Sequence, residues 1–301
     1  MTPLFAHPHQ RMAAMLLISG LLISSGCQRQ PEQPIAPTTE QALNGTDATD
    51  SAPPAVAALT IVSTIQQPNL PVCQSDRCIK MSIQHVKTGQ PWLDEQIEAT
   101  LLKLTDVSVG GKKHPNHSMQ QNIERFIQAS QKANPSEMVI TTELIQQQGA
   151  VAVFRLVGNY YLGGAHGSVI ERYLNVDLNQ KKILKFSDVL QDEALPRLET
   201  LLYERYREWV GQNAAGQPID AYESMFPFKV AEQWYLGKKG MVFAYGQADI
   251  GPYSAGLAKF ELPYTELTTI IRADFLPALN DDPIAVPATD AVTPYVTQDA
   301  S

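Results

Sequence analysis

The chain has 301 residues, 44% of them hydrophobic and 18% charged, with a formal net charge of −8 at pH 7. That length and apolar content suffice for a packed core in one large domain or two small ones, and they exclude a wholly disordered chain. The acidic balance gives no basic footprint for nucleic acid. Three cysteines in so long a chain are too few for a disulfide scaffold.

Residues 1–26 read as an export signal. Arg11 supplies the positive start, the run from Met15 to Ile23 is an apolar core too short to span a bilayer stably, and the small residues Ser24, Ser25 and Gly26 follow. Cys27 comes directly after them, a pattern that resembles the lipobox of bacterial lipoproteins. The resemblance implies cleavage before Cys27 and acylation of its sulfur and new amino group. Several acyl chains at about 0.8 kcal/mol per buried CH₂ would anchor the product stably. An ordinary secretory signal with an incidental cysteine is the competing reading. Gln28 in place of aspartate after the cysteine directs such proteins to the outer membrane by the family's sorting rule, facing the periplasm or the cell surface. Cleavage removes one arginine and no acid, taking the net charge from −8 to −9.

Residues 27–58 are rich in Gln, Pro, Thr and Ala, and cannot bury enough apolar surface to offset ordering, so a disordered tether is expected. Strands are expected at Leu59–Ile65 and Ile79–Val86. An amphipathic helix is expected at Trp92–Leu104, with Leu93, Ile97, Leu101 and Leu104 on one side. Ser118 and Gln121 form a capping box for a second helix reaching about Ala133. Met138–Leu144 and Val151–Tyr161 read as strands joined by a hairpin at Gly149. A further strand is expected at Val169–Leu178 and a long helix at Glu193–Gln212, with Pro196 in its first turn. Leu195, Leu198, Leu201 and Leu202 make that helix's apolar stripe, a core feature and not a cofactor site. A turn at Gly237–Gly240 leads to strands at Met241–Tyr245 and Ala258–Leu262, and a closing helix is expected at Tyr264–Arg272. Residues 277–301 read as a disordered tail. The order of elements is not a strict βαβ alternation, so an α+β fold is expected, an antiparallel sheet with packed helices in two subdomains that divide near 148/149.

Cys73 and Cys78, with four residues between them in an exported chain, are expected to form a structural disulfide. Closing so short a loop stabilises by about 2 kcal/mol on chain-entropy reasoning. His114 and His117 sit in a polar loop after Gly110 and Gly111. No third ligand accompanies them at a diagnostic spacing, so no metal and no cofactor is assigned. The densest candidate for ligand contact is Tyr161-Leu-Gly-Gly-Ala-His-Gly167. Its three glycines permit close backbone approach, and the imidazole of His166 is a side chain suited to general-base chemistry, with Ser168 two residues on. No nucleophile elbow and no orienting acid accompany His166, so no catalytic residue is assigned. A second Gly/Pro/Tyr loop, Gly251–Gly256, carries Pro252 and Tyr253, where tyrosine offers large contact area at low entropic cost. The ligand-binding candidates are therefore Tyr161, His166, Ser168, Pro252 and Tyr253. A packed bend and a packed turn are the structural alternatives for the two loops.

Tyr161–Gly167, Leu174–Asp177 with Phe186–Val189, and Gly240–Tyr245 through Gly251–Gly256 occur in the order in which similar blocks appear in the C-terminal domain of RsiV-type anti-sigma factors. Residues 149–276 resemble that domain. Residues 59–148 resemble the smaller domain that precedes it, also known from PdaC-type peptidoglycan deacetylases, whose catalytic domain has no counterpart here. In RsiV-type proteins the extracellular domain binds lysozyme. The resemblance therefore implies a non-catalytic envelope lipoprotein that binds a lysozyme-like protein or peptidoglycan. A cell-wall hydrolase using His166 and a structural envelope assembly factor are the alternatives. Sigma-factor control is not implied, because neither a sigma-holding segment nor a membrane-crossing helix is read in this chain.

Overall fold

The computed structural model describes residues 56–70, 78–107, 117–132, 135–214 and 216–276. Contacts divide the chain into Met1–Ser51 and Ala52–Ser301, and every described residue falls in the second unit. Cys27, the expected tether up to residue 55, His114 and the expected tail lie outside the described residues. So does Cys73. Cys78 is half of a disulfide.

Two sheets build the body. The first has six strands in sequence order: β1 (Val62–Gln66), β2 (Ile79–Lys87), β3 (Ser136–Gln148), β4 (Val151–Tyr161), β5 (Ser168–Asp177) and β6 (Lys182–Ile183). The second is an antiparallel meander of β7 (Gln233–Leu236), β8 (Gly240–Ala244) and β9 (Lys259–Pro263). The helices are α1 (Pro91–Thr105), α2 (Met119–Ser130), α3 (Phe186–Val189), α4 (Leu195–Asn213), α5 (Ile219–Met225) and α6 (Tyr264–Leu267). The α+β class expected from the sequence is the one observed. One pair departs from the antiparallel expectation: β2 and β3 run parallel, Ile79 opposite Ser136 to Ile83 opposite Ile140. A parallel pair needs a long crossover, and α1 and α2 supply it.

Local sequence explains most boundaries. Ser118 Oγ accepts from the Gln121 amide at 3.3 Å, and Gln121 Oε1 accepts from the Ser118 amide at 2.8 Å, completing the capping box of α2. Pro196 lies in the first turn of α4. Gln148 pairs with Val151, so Gly149 and Ala150 are the whole hairpin loop, and Gly149 takes φ +53°. The expected closing helix is shorter than the sequence suggests. It stops at Leu267, because the β-branched run Thr268-Thr269-Ile270-Ile271 leaves the helix and Ile271 bridges Leu190. Helix α5 and strand β7, which carry few residues of clear periodicity, were not anticipated.

The described residues form two cores. Leu93, Ile97, Leu101, Ile123 and Phe126 of α1 and α2 cover one face of the six-stranded sheet, against Met81, Ile83, Met138, Ile140 and Leu156. Leu198, Leu202, Tyr206 and Val210 of α4 pack on Met241, Phe243, Phe260 and Leu262 of the smaller sheet. Each fully buried large apolar side chain contributes about 1.5–3 kcal/mol. The expected division at 148/149 coincides with the β3–β4 turn, inside a continuous ladder, and the first core draws on Ala152, Phe154 and Tyr160 beyond it.

Three side-chain amides join the sheets where a backbone ladder is absent. Asn175, 3% exposed, donates from Nδ2 to the Trp234 carbonyl at 2.9 Å and accepts the Leu236 N–H at 2.9 Å. Gln146 donates to the Leu236 carbonyl. Gln233 accepts the Tyr173 N–H at 3.1 Å. The second sheet is thereby held beside β5.

Candidate functional site

The β4–β5 hairpin closes at Tyr160 opposite Ser168, leaving a seven-residue loop. Gly163 and Gly164 turn it at φ +78° and +97°, values that L side chains rarely adopt. The Tyr161 hydroxyl donates to the Gly164 carbonyl at 2.8 Å and pins the bend. The second loop follows β8. Gly251 roots it: a Cβ there would lie 2.5 Å from the Trp209 ring and 2.7 Å from the Tyr222 hydroxyl, so the backbone is pressed onto α4 and α5. Pro252 starts a short 3₁₀ turn at Tyr253–Ala255, and Gly256 ends it at φ +72°.

These two loops meet. The Tyr253 hydroxyl donates to the Gly167 carbonyl at 2.9 Å, across 86 residues of sequence. The His166 and Tyr253 rings stack, with centroids 4.5 Å apart and planes 22° apart. His166, Ser168 and Pro252 are exposed, and Tyr253 is 41% exposed. Tyr161 is half-buried and holds its own loop. Four of the five sequence candidates therefore fall in two touching loops, and Ser168 opens β5 next to them. No hydrogen bond joins His166 to Ser168 or to a carboxylate among the described residues, and none of the five is part of an assembled acid–base pair.

Beside the loops lies a cleft of about 350 Å³ between Ser168–Arg172 and the segment from Ala244 to Asp249, with Glu232 and Leu257 on its rim. Sequence reasoning missed this cleft and the polar group beneath it. Glu171 accepts from the Tyr173 hydroxyl at 2.7 Å and pairs with Lys259 at 2.9 Å and Arg155 at 4.0 Å. Tyr173 stacks on Tyr235 at 4.6 Å, with the Lys259 ammonium 5.7 Å from its ring centre. Burial, and then the hydrogen bond to Glu171, hold the Tyr173 phenol above its ordinary range. Glu171 lies in the segment expected to be a strand, but nothing local announces a partner 88 residues away.

Among the described residues no group of three or more His, Cys, Asp or Glu side chains is arranged to hold a metal ion. No helix there is long and apolar enough to cross a membrane.

No curated protein matches the chain. Several solved structures resemble it, among them two of one family. A DUF3298 family protein from Pseudomonas aeruginosa PAO1 is 21% identical with a TM-score of 0.60, covering 74% of this chain and 98% of its own. A member of the same family from Bacteroides fragilis NCTC 9343 is 18% identical with a TM-score of 0.53, covering 73% and 96%. The family described as "Protein of unknown function (DUF3298)" matches residues 187–265, which contain Tyr253 but not the His166 loop. The chain thus carries a DUF3298 domain at 187–265 within a fold shared with two solved DUF3298 proteins.

Proposed function

We propose that this protein is a cell-envelope lipoprotein, anchored through Cys27 in the outer membrane, whose RsiV-like domain is a non-catalytic recognition module for a lysozyme-like protein or peptidoglycan. The observation that carries the reading is the ridge formed by His166 stacked on Tyr253, with both loops tied together at Gly167. Exposed aromatic surface on pinned loops loses little entropy on binding, which is what a recognition tip needs. The net charge of −9 after cleavage speeds encounter with a basic protein, and offers no such help with peptidoglycan, whose stem peptides carry carboxylates.

The test passes the purified mature protein over immobilised lysozyme and over peptidoglycan, beside a His166→Ala, Tyr253→Ala double variant of unchanged circular dichroism. Retention on one matrix, lost in the variant, is expected. No retention on either matrix, or equal retention of the variant, refutes the reading.

A further inference from the structure

Strand β5 is paired with β4 along its whole length, from Ser168 opposite Tyr160 to Asp177 opposite Val151. Its other edge meets β6 only at Val176 and Asp177. In an antiparallel ladder, alternate residues send both N–H and C=O to the same side. The Tyr173 N–H goes to Gln233 Oε1, and the Asn175 carbonyl accepts the Leu184 N–H at 2.7 Å, so odd-numbered residues face away from β4. Gly167 shares this parity, and its carbonyl takes the Tyr253 hydroxyl. The Glu171 carbonyl takes the Arg172 guanidinium at 2.8 Å. Between these two closures, the Val169 N–H, the Val169 carbonyl and the Glu171 N–H have no partner among the described residues. All three belong to residues that line the cleft of about 350 Å³.

We propose that this open stretch of β5 takes an extended segment of a partner protein as an added strand, paired at Val169 and Glu171, with a basic side chain of that segment on Glu232. Two donors and one acceptor spaced over three residues match the repeat of a ladder, and supply affinity that does not depend on the segment's sequence. A ladder of this reach engages about five residues, or about 17 Å of extended chain. Charge sets the preference. Of the acids lining the cleft, Glu171 is matched by Lys259 at 2.9 Å and Asp249 by Lys229 at 2.7 Å. Glu232 is exposed and pairs with no cation among the described residues. A lysine or arginine on the incoming strand completes it. Tyr253 closes the near end of the ladder, so the strand lies alongside the His166–Tyr253 ridge. The inference deepens the recognition reading and rests on it only for the identity of the partner.

The experiment follows amide exchange by NMR in the full mature chain, with acetyl-Thr-Val-Lys-Val-Thr-amide as the probe. The same peptide N-methylated at alternate residues is the control. The expected result is at least tenfold slower exchange at Val169 and Glu171 with the first peptide, no change with the second, and weaker binding of the first by Glu232→Gln. Unchanged exchange with the first peptide, or equal binding of both, overturns the proposal. So does slow exchange in the free protein that is released by dilution, which means a second copy covers the edge. Slow exchange released by deleting 277–301 identifies the chain's own tail and overturns it as well. Soluble peptidoglycan fragments that slow these amides where the peptide does not would also overturn it. Retention on lysozyme or peptidoglycan with unprotected amides sinks the strand site alone. Protected amides without such retention sink the functional reading alone.

Discussion

Two glycine-to-alanine substitutions should move stability in opposite directions. Gly240 opens β8, is buried, and stands opposite Pro263 of β9. A Cβ there would lie 2.1 Å from the Leu262 carbonyl oxygen, 2.7 Å from its carbon and 2.8 Å from the Pro263 Cα. These are backbone atoms, so no side chain can swing clear, and β9 must shift by about 1 Å to restore ordinary contact. That shift strains the Tyr264 N–H bond to the Lys239 carbonyl at 3.1 Å and the Gly237 N–H bond to the Gly240 carbonyl at 2.7 Å. Overpacking at about 1–3 kcal/mol and a weakened hydrogen bond at about 1 kcal/mol put Gly240→Ala at about 2–4 kcal/mol of destabilisation. For a body of this size the melting temperature should fall by roughly 5–15 °C. Gly211, in the last turn of α4, is exposed, and a Cβ there meets nothing within 4 Å. Gly211→Ala should gain about 0.5 kcal/mol from helix propensity alone. Urea titration read by circular dichroism, with a thermal melt beside it, measures both. A Gly240→Ala protein within about 0.5 kcal/mol of the parent would refute the steric reasoning.

Asn175→Ala should cost about 2–4 kcal/mol by the same urea assay, because it strands the buried Trp234 carbonyl and Leu236 N–H together; a loss below 1 kcal/mol would show that water replaces the amide. Burial raises the Tyr206 and Tyr264 phenols to about 12, and lifts Tyr160, Tyr173 and Tyr245 further. Their unfolded value is near 10, so above pH 10 the unfolded chain loses protons that the native chain keeps. Stability is full below pH 10 and falls from about 10 to 12. Phenolate absorbance from these five rings should rise together with unfolding, and ionisation of these five near pH 10 with native circular dichroism intact would contradict the burial. Reducing the Cys78 disulfide should lower stability by about 2 kcal/mol, and peptide mapping of the oxidised protein should find Cys73 as its partner. Cys27→Ser should abolish acylation and release the protein from membranes, as read by mass spectrometry and fractionation.

Elements with strong periodicity or local punctuation were legible in the sequence. Val151–Tyr161 has its observed bounds, because a segment rich in β-branched and aromatic residues runs between a loop glycine and the Gly163–Gly164 bend. The capping box of α2 is a four-residue signal and needs no tertiary context. Helix α5 and strand β7 were not legible: Gln-Trp-Tyr-Leu is a four-residue strand made by its ladder with β8 and by the amide joints to β5, neither of which local sequence announces. The parallel pairing of β2 and β3 is a choice between edges that no local pattern encodes. The candidate loops could be found from glycine, proline and tyrosine content. Their meeting could not, since a hydrogen bond between Tyr253 and Gly167 is a property of the folded sheet order. The open edge of β5 was hidden for the same reason, because an unpaired carbonyl leaves no mark on side-chain sequence.

The amide joints beside β5 bear on how far the matched stretch 187–265 can be separated from the rest. Asn175 and Gln146 lie upstream of it, while the carbonyls of Trp234 and Leu236 and the Leu236 N–H lie within it. Cut out by itself, that stretch would present half of each joint to solvent and lose the strand against which β7 lies. The stretch defined by sequence similarity is therefore smaller than the hydrogen-bonded unit to which it belongs. A fragment made for crystals or binding studies should begin no later than β1, so that the six-stranded sheet comes with it.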